Sequence, residues 1–472
     1  MSLVRSMMLG CALLTTGCAS MAPRYERPVV AIPTSYADDS VTESVGAADL
    51  AWRDYVTDPE LQTLIERALE ANRDLRGALL RVEQARAAWG ITRSERVPAV
   101  GAGLQSERTR VPADLSITRQ PMVSSSHQFG VGFSSWELDL WGRVRSQNEA
   151  AIQSWLATQE AQRAVTLLLV AQVADGYLSV RELDQRLWLA EQALATRAES
   201  RRVFQRRQEV GSSSELELVQ ADLLWQQAQV LVSQLELARR TQMHAFAVLI
   251  GEPGLELPPR AAPLHEQMTF APLSPGLPSE LLENRPDIRA AEHTLQAANA
   301  QIGAARAMYF PRIALTTFAG TASAELDGLF ASGSRAWSFA PGISLPIFDG
   351  GRRRANLRLS EVQREQAVNA YGQAIEAAFR DVADALAARQ YLGEQLTTLR
   401  AMEETLARRA ELAKRRFDAG AARYFEVLDA ERDLLAAQQD VVQAGHALMR
   451  AQLSLYTALG GGSQALEPAS VQ

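Results

Sequence analysis

The chain repeats itself. Asn72-Arg73-Asp74-Leu75 has an echo in Arg285-Pro286-Asp287-Ile288, and Val97-Pro98 in Phe310-Pro311, both 213 residues further on. Later, Glu209-Val210-Gly211 matches Asp418-Ala419-Gly420, Glu217 to Ala221 matches Glu426 to Ala430, and Gly251 matches Gly460, all 209 residues further on. A loop between the two sets of matches can absorb the difference. A duplication of this size gives both halves one order of elements: helix, two extended segments, very long helix, short turn, long helix.

The long helices follow from what is missing. From Arg143 to Val210 there is no proline, and Gly176 is the only glycine before the turn. Val173, Val180, Leu187 and Leu194 step by seven, as do Leu216, Leu223, Val230 and Leu237 in the next segment. The second half continues the rule with Leu392, Leu399 and Leu406, then Val427, Leu434, Val441, Leu448 and Leu455. A sustained seven-residue step means coiled-coil packing. A segment from 143 to 210 makes a helix of roughly 100 Å, far longer than a globular domain requires. Periodicity alone leaves a fibrous scaffold open.

The extended segments speak against it. Phe129, Val131 and Phe133 share one face, with Gln128, Gly130, Gly132 and Ser134 on the other. Val100, Ala102 and Leu104 alternate with Gly101, Gly103, Gln105 and Glu107, and Trp337, Phe339, Ile343, Leu345 and Ile347 with Ser338, Ala340, Gly342 and Ser344. The segment from Ile313 to Gly320 is less regular. One apolar face and one small or polar face suit a lipid-facing barrel strand, although a half-buried soluble sheet alternates similarly. Four strands cannot close a barrel, and an open edge in lipid is prohibitive. Barrels start at about eight strands, so copies of the chain have to join. Three would give twelve strands and pool their helices into a hollow cylinder.

The ends and the composition add limits. At 472 residues the chain exceeds one typical domain. With 48 basic and 55 acidic residues, net −7, it is not composed like a nucleic-acid binder. Lys414 is the only lysine and lies far from any glycine-rich loop, which removes a P-loop. Arg5 and the short apolar run Ser6–Leu14 read as an export signal. Residues Leu14-Thr15-Thr16-Gly17-Cys18 resemble a lipobox with Thr15 where leucine is usual, so lipidation of Cys18 is expected; an ordinary cleaved signal is the alternative. Ala19 after the cysteine favours outer-membrane sorting. Both cysteines, Cys11 and Cys18, lie in this stretch, so the mature fold has no disulfide to lean on. Elsewhere no apolar run of transmembrane length is apparent, so no membrane-spanning helix is expected. The histidines are too scattered for a metal site, no catalytic motif is present, and no cofactor is implied. Gly101-Ala102-Gly103 opens no helix and reads as strand rather than dinucleotide loop.

Several stretches together resemble the TolC/OprM-like outer-membrane efflux proteins, in the lipoprotein branch that works with resistance-nodulation-division pumps. They are Ala22-Pro23-Arg24-Tyr25-Glu26-Arg27-Pro28, Trp52-Arg53-Asp54-Tyr55, Asp58-Pro59-Glu60-Leu61, Ala71-Asn72-Arg73-Asp74-Leu75, Trp136-Glu137-Leu138-Asp139-Leu140-Trp141-Gly142, Arg285-Pro286-Asp287, Leu345-Pro346-Ile347-Phe348-Asp349-Gly350-Gly351 and Leu428-Asp429-Ala430-Glu431-Arg432. The resemblance covers nearly the whole chain in family order. It implies an α+β membrane protein: a homotrimer with a twelve-stranded β-barrel, four strands per protomer, continuous with a long periplasmic helical barrel. The implied partners are a periplasmic adaptor protein, an inner-membrane pump and outer-membrane lipid.

The expected layout is a signal peptide at 1–17, a lipid-anchored extended segment at 18–60, and structural repeats at 61–270 and 271–472. The first repeat has strands within about 98–140 and long helices near 143–210 and 214–250. The second has strands within about 311–348 and long helices near 351–419 and 423–459.

A duct requires a seal. The two hairpin tips are Glu209-Val210-Gly211-Ser212-Ser213-Ser214 and Asp418-Ala419-Gly420-Ala421-Ala422-Arg423. Their glycines break the helices, and Ser214 offers an N-cap. Glu426 and Asp429 lie on one helix face, and copies would turn them into carboxylate rings that select cations. The resemblance implies a constriction at Asp429 and Glu426, with Phe417 and Phe425 contributing to closure, and Arg432 is placed to pair with Asp429. Glu426 departs from the shorter or apolar residue usual there, which affects that ring's width. Gln220 stands where Asp429 is, so the second hairpin is expected to be the mobile one. Val210, Gly211, Ser212, Ala419, Gly420 and Ala421 are the expected adaptor docking points, with plain turn chemistry as the alternative. A duct for type I protein secretion and a non-channel scaffold lipoprotein also remain open, although the lipobox and the Trp52-Arg53 region favour drug, solvent or metal efflux.

Overall fold

The computed structural model describes residues 21–30, 47–260, 270–273 and 280–463. Its elements are α1 (Trp52–Tyr55), α2 (Pro59–Ala71), α3 (Arg73–Ser94), β1 (Gly101–Val111), β2 (Met122–Glu137), α4 (Arg143–Glu209) and α5 (Glu215–Ile250). The second half follows with α6 (Leu281–Asn284), α7 (Pro286–Ala307), β3 (Arg312–Ser323), β4 (Arg335–Ser344), α8 (Arg352–Asp418) and α9 (Tyr424–Ala458). The described residues fall into two compact units. One lies within Met1–Val29, Arg81–Gln159 and Ala290–Gly372, the other within Val30–Leu80, Glu160–Arg289 and Gln373–Gln472.

The first unit holds an antiparallel sheet in the order β1-β2-β3-β4. Directly paired residues point to the same side, so the register sorts the side chains. Leu104↔Phe129, Val131↔Ala319, Ala319↔Trp337 and Ile313↔Ile343 put the large apolar groups on one face. Gly103↔Gly130, Gly130↔Gly320 and Gly320↔Ala336 put the small groups on the other. Within the single chain the apolar face is bare: Trp337 is 80% exposed, Ile343 72% and Leu104 62%. The two central strands approach closely, and a Cβ on Gly132 would run into the Thr317 carbonyl oxygen. Near its end β2 carries a bulge between Phe133 and Trp136, where Ser135 has φ 57°.

The stretch from Met21 to Arg27 runs along α7. Arg306 reaches the Met21 carbonyl at 3.5 Å and Asn299 donates to the Pro23 carbonyl at 2.8 Å. The Tyr25 hydroxyl donates to Glu292 at 2.9 Å, and Arg27 grips the same carboxylate with two bonds of 2.9 and 2.7 Å. Gly303 lets the strap lie close, since a Cβ there would stand 2.7 Å from the Ala22 nitrogen. Burial and the bond to Glu292 push the Tyr25 hydroxyl up to about 12.

The second unit shows why the repeated motifs recur. Asn72 ends α2, and its side-chain oxygen accepts from the N–H groups of Asp74 and Leu75 to start α3; its amide donates to the Leu249 carbonyl at 2.9 Å. In the second half Arg285 ends α6, Pro286 starts α7, and Arg285 donates to the Ala458 carbonyl at 3.1 Å. Leu249 and Ala458 are themselves repeat partners. Gly251 and Gly460 follow, with φ of 82° and 75°, and a Cβ on either would sit 2.8 Å from a backbone oxygen, of Ala71 and Asn284 respectively. Aromatic stacking fills the core here: Tyr55 lies between Phe270 and Tyr456 at 4.9 and 4.2 Å. Part of the segment expected to be extended is therefore helical, since Trp52–Tyr55 forms a turn that delivers Tyr55 to this stack.

Two expectations change. Helix α4 does hold a stretch long and apolar enough to cross a membrane. Its apolar stretch serves packing instead: Leu167, Val170, Val173, Ala174, Tyr177 and Leu178 are buried in the protein core. The same helix also buries Arg181 against Asp184 at 2.9 Å. In α5 the row Leu216, Leu223, Val230 and Leu237 is not packed within the chain, being 53–68% exposed. The inward row is Ala221, Ala228 and Leu235, also stepping by seven, whose smaller residues permit a close approach.

The glycines give a direct test. Gly211→Ala should cost about 1 kcal/mol for its left-handed backbone alone. Gly251→Ala adds a collision with the Ala71 carbonyl and should cost roughly 3 kcal/mol or more. Thermal unfolding of the two variants side by side checks the order.

Candidate functional site: the paired helical tips

The two hairpin tips end their first helices alike. The Gly211 N–H donates to the Gln208 carbonyl at 2.9 Å and the Ser212 N–H to that of Arg207 at 2.7 Å; Gly420 and Ala421 repeat this with Phe417 and Arg416 at 2.9 and 2.8 Å. Both glycines are left-handed, with φ of 75° and 72°. Val210, Gly211, Ser212, Ala419, Gly420 and Ala421 are all exposed.

They start their second helices differently. Ser214 caps α5 in a reciprocal box: its hydroxyl accepts from the Glu217 N–H, and Glu217 accepts from the Ser214 N–H at 3.0 Å. Ser213 adds a bond of 2.7 Å to the same carboxylate. These bonds, the one from Ser213 foremost, hold the Glu217 carboxyl below its ordinary range. At the second tip Arg423 occupies the N-cap of α9 and makes no side-chain cap bond. Glu426, the repeat partner of Glu217, pairs with Arg416 at 3.0 Å instead.

Beyond the second tip lies a four-membered ion cluster. Arg409 of α8 contacts Asp429 and Asp433 of α9, both at 2.6 Å. Arg432 contacts the same two carboxylates at 2.6 and 2.8 Å. Hydrogen bonds from Arg432 and then Arg409 keep the Asp433 carboxyl below its usual range. The expected Arg432–Asp429 pair is therefore present as half of a larger group. Arg409 and Asp433 escaped the sequence reading. Asp433 was visible as the next residue on the Asp429 face of the helix, whereas Arg409 joins only because the hairpin folds α8 back along α9.

The aromatic residues divide their roles. Phe417 is half-buried against Tyr424, ring centroids 4.9 Å apart, and Tyr424 rests on the buried Phe204 of α4 at 4.3 Å. The Tyr424 hydroxyl also meets Ser200 Oγ. Phe425 is 57% exposed. Phe417 braces the tip and Phe425 faces outward. Cys18 lies outside the described residues, and among those residues no group of side chains is arranged to hold a metal ion.

The family model described as outer membrane efflux protein matches residues 64–252 and again 277–461, one match for each half. The chain belongs to the outer membrane efflux protein family. It is 42% identical over 450 residues to the outer membrane protein OprJ of Pseudomonas aeruginosa, covering 95% of this chain and 94% of that one. It is 40% identical over 463 residues to the cation efflux system protein CusC of Escherichia coli, covering 96% and 97%. Among solved structures, the open state of the MtrE outer membrane channel of Neisseria gonorrhoeae matches with a TM-score of 0.86 at 38% identity, covering 94% of this chain and 98% of that one. The protein is accordingly an outer-membrane efflux channel component, and its fold is the α+β architecture of these channels.

The difference in capping should be measurable. Ser214→Ala should cost about 1 kcal/mol at the first tip and speed amide hydrogen exchange in residues 215–218. Arg423→Ala should leave exchange at the start of α9 unchanged, because no cap bond is lost.

Proposed function

We propose that three copies of this chain form the exit duct of a tripartite efflux system, conducting substrate passively from an inner-membrane pump, through a periplasmic adaptor junction, to the exterior. One observation supports this above the rest: a four-stranded sheet with a bare apolar face and two unpaired outer strands. Such a sheet cannot rest in lipid alone, whereas three of them make a closed wall of twelve strands. The duct has no use for a catalytic group.

In this reading Cys18 is the lipid-bearing residue. Met21 is held on α7 by Arg306, and the three peptide steps from there to Cys18 reach at most about 10 Å. The neighbouring Tyr309 and Phe310, with Trp141 stacked on Phe310 at 4.9 Å, are the kind of aromatic group that marks a membrane boundary. The mature chain then comprises an anchored segment, 18–60, and the repeats 61–270 and 271–472.

The seal lies at the tips. Asp429 and Glu426 form carboxylate rings, and Arg432 and Arg409 hold Asp429 in its closed position. Phe425 contributes apolar closure and Phe417 supports it from behind. The second hairpin moves, because its α9 start is uncapped, while the boxed first hairpin stays fixed. The small exposed residues Val210, Gly211, Ser212, Ala419, Gly420 and Ala421 let an adaptor hairpin approach closely.

Replacing Asp429 and Asp433 together by alanine frees both arginines and should raise single-channel conductance in planar bilayers. Wild-type conductance in that variant would defeat the gate assignment. The pH dependence has a definite sign. Closure lowers the Asp433 pKa, so its contribution is complete at neutral pH and is lost only as pH falls through that lowered value. Conductance should stay level from neutral pH to about 4 and climb below it, with the climb absent in the double variant.

A further inference from the structure

All four strands join helices at one end and hairpin loops at the other, so the apolar face of each can be followed away from the helices. On β4 that face runs Ile343, Pro341, Phe339, Trp337 and then Arg335, where the strand meets its loop. On β1 it runs Ala102, Leu104, Ser106 and then Arg108 and Arg110. Both strands turn from apolar to basic as they approach the loops. The ladder sets the three arginines on one side of the sheet. Arg108↔Ser125 and Arg110↔Val123 share the face of Leu104↔Phe129, and Arg335 pairs with Thr321, which itself pairs with Phe129.

Charge is sorted between the two faces. On the other side of β1 at the same end stand Glu107 and Thr109, whose hydroxyl donates to the Glu107 carboxylate at 3.2 Å. On the apolar side the positions near the loops are Arg108, Arg110, Ser125, His127, Ser323 and Arg335, with no carboxylate. A rim that only had to stay wet would mix the two signs. Among the described residues the three guanidinium groups have no hydrogen-bond or ion-pair partner, whereas Arg181, Arg239 and Arg285 are each held by carboxylates.

The level of these arginines is set by the strand. Eight residues separate Ile343 from Arg335, about 27 Å along the strand and about 20 Å of height at a typical barrel tilt. That carries Arg335 towards the far edge of an apolar band roughly 25 Å tall. Aromatic side chains mark the same level. Phe330 of the β3–β4 loop leans on Phe129, ring centroids 5.6 Å apart, and Trp337 stands one outward position from Arg335. Aromatic groups gather where hydrocarbon gives way to headgroups.

We propose that Arg108, Arg110 and Arg335 form a binding surface for the phosphate groups of lipid headgroups in the leaflet around the loop end of the barrel. The surface rests on the membrane-spanning barrel proposed above. The guanidinium fork matches phosphate oxygens two at a time. Arg108 and Arg110 have Cα atoms about 7 Å apart on one face, so both can grip a single headgroup. A lipid fits better than a dissolved anion because the arginines stand at the end of an apolar strip. Acyl chains cover Phe339 and Trp337 while the phosphate of the same molecule reaches Arg335.

Binding to the full-length protein in mild detergent tests this. The probes are a diphosphorylated glucosamine lipid, the same lipid with both phosphates removed, and inorganic phosphate, with bound molecules counted by native mass spectrometry. The phosphorylated lipid should bind roughly tenfold or more tightly than its dephosphorylated form, and inorganic phosphate should not displace it. Arg108→Gln, Arg110→Gln and Arg335→Gln together should abolish that preference, and Glu107→Gln on the other face should leave it intact. Equal binding of the two lipids by the unaltered protein, a comparison that needs no variant, overturns the proposal. An unchanged preference in the triple glutamine variant overturns it as well, and displacement by inorganic phosphate would reveal a plain anion site in its place. If the unboiled protein still migrates as a trimer in those cases, the duct reading stands. Monomeric protein that binds neither lipid removes the duct reading too.

Discussion

An antiparallel sheet satisfies its backbone everywhere except along its outer strands, and here those strands are β1 and β4. In water the loose N–H and C=O groups would be solvated; in hydrocarbon each costs several kcal/mol. The apolar residues facing out of the sheet point the molecule towards hydrocarbon all the same. That conflict is settled by other copies of the chain, and much else follows from it. α5 too carries a bare row of large residues, its smaller inward row already providing the internal packing of that helix.

The tips show how one folding pattern carries two different side-chain arrangements. Their turns share the same backbone bonds, so both hairpins reverse direction in the same way. The difference lies in side-chain electrostatics. At the first tip Glu217 is consumed by its own helix start. At the second, Glu426 and the Arg409–Asp429–Arg432–Asp433 group depend on charge pairs across partly exposed surface. Pairs of that kind are individually weak and exchange readily with water and salt, which fits the gate role proposed for this tip.

Much of this was legible in the sequence, and the reasons are local. Asn72, Pro286, Gly251 and Gly460 announced themselves because helix breaks and left-handed turns admit few residue types. The strand faces were readable from alternation, even though a bulge at Ser135 shifted the register along β2. Pairing across a hairpin was harder to read: Arg409 shares no helix with Asp429, and only the fold joins them. Seven-residue spacing identified α5 as coiled-coil helix but not which of its two rows points inward, because both rows obey the same period. Helix α4 carried a hydropathy compatible with lipid, and only the burial of that stretch in the protein core, with Arg181 of the same helix paired to Asp184, settles where that surface goes.

The strap on α7 has a consequence for assembly. With the Met21 carbonyl 3.5 Å from Arg306 and with Tyr25 and Arg27 bonded to Glu292, the lipid tether proposed at Cys18 would be short. A lone protomer would then be confined to the membrane surface with one end of α7 always towards it. Confinement of this kind turns a search through volume into a search across a plane, with tilt already restricted. Encounters between correctly oriented copies would be frequent even when the chain is scarce.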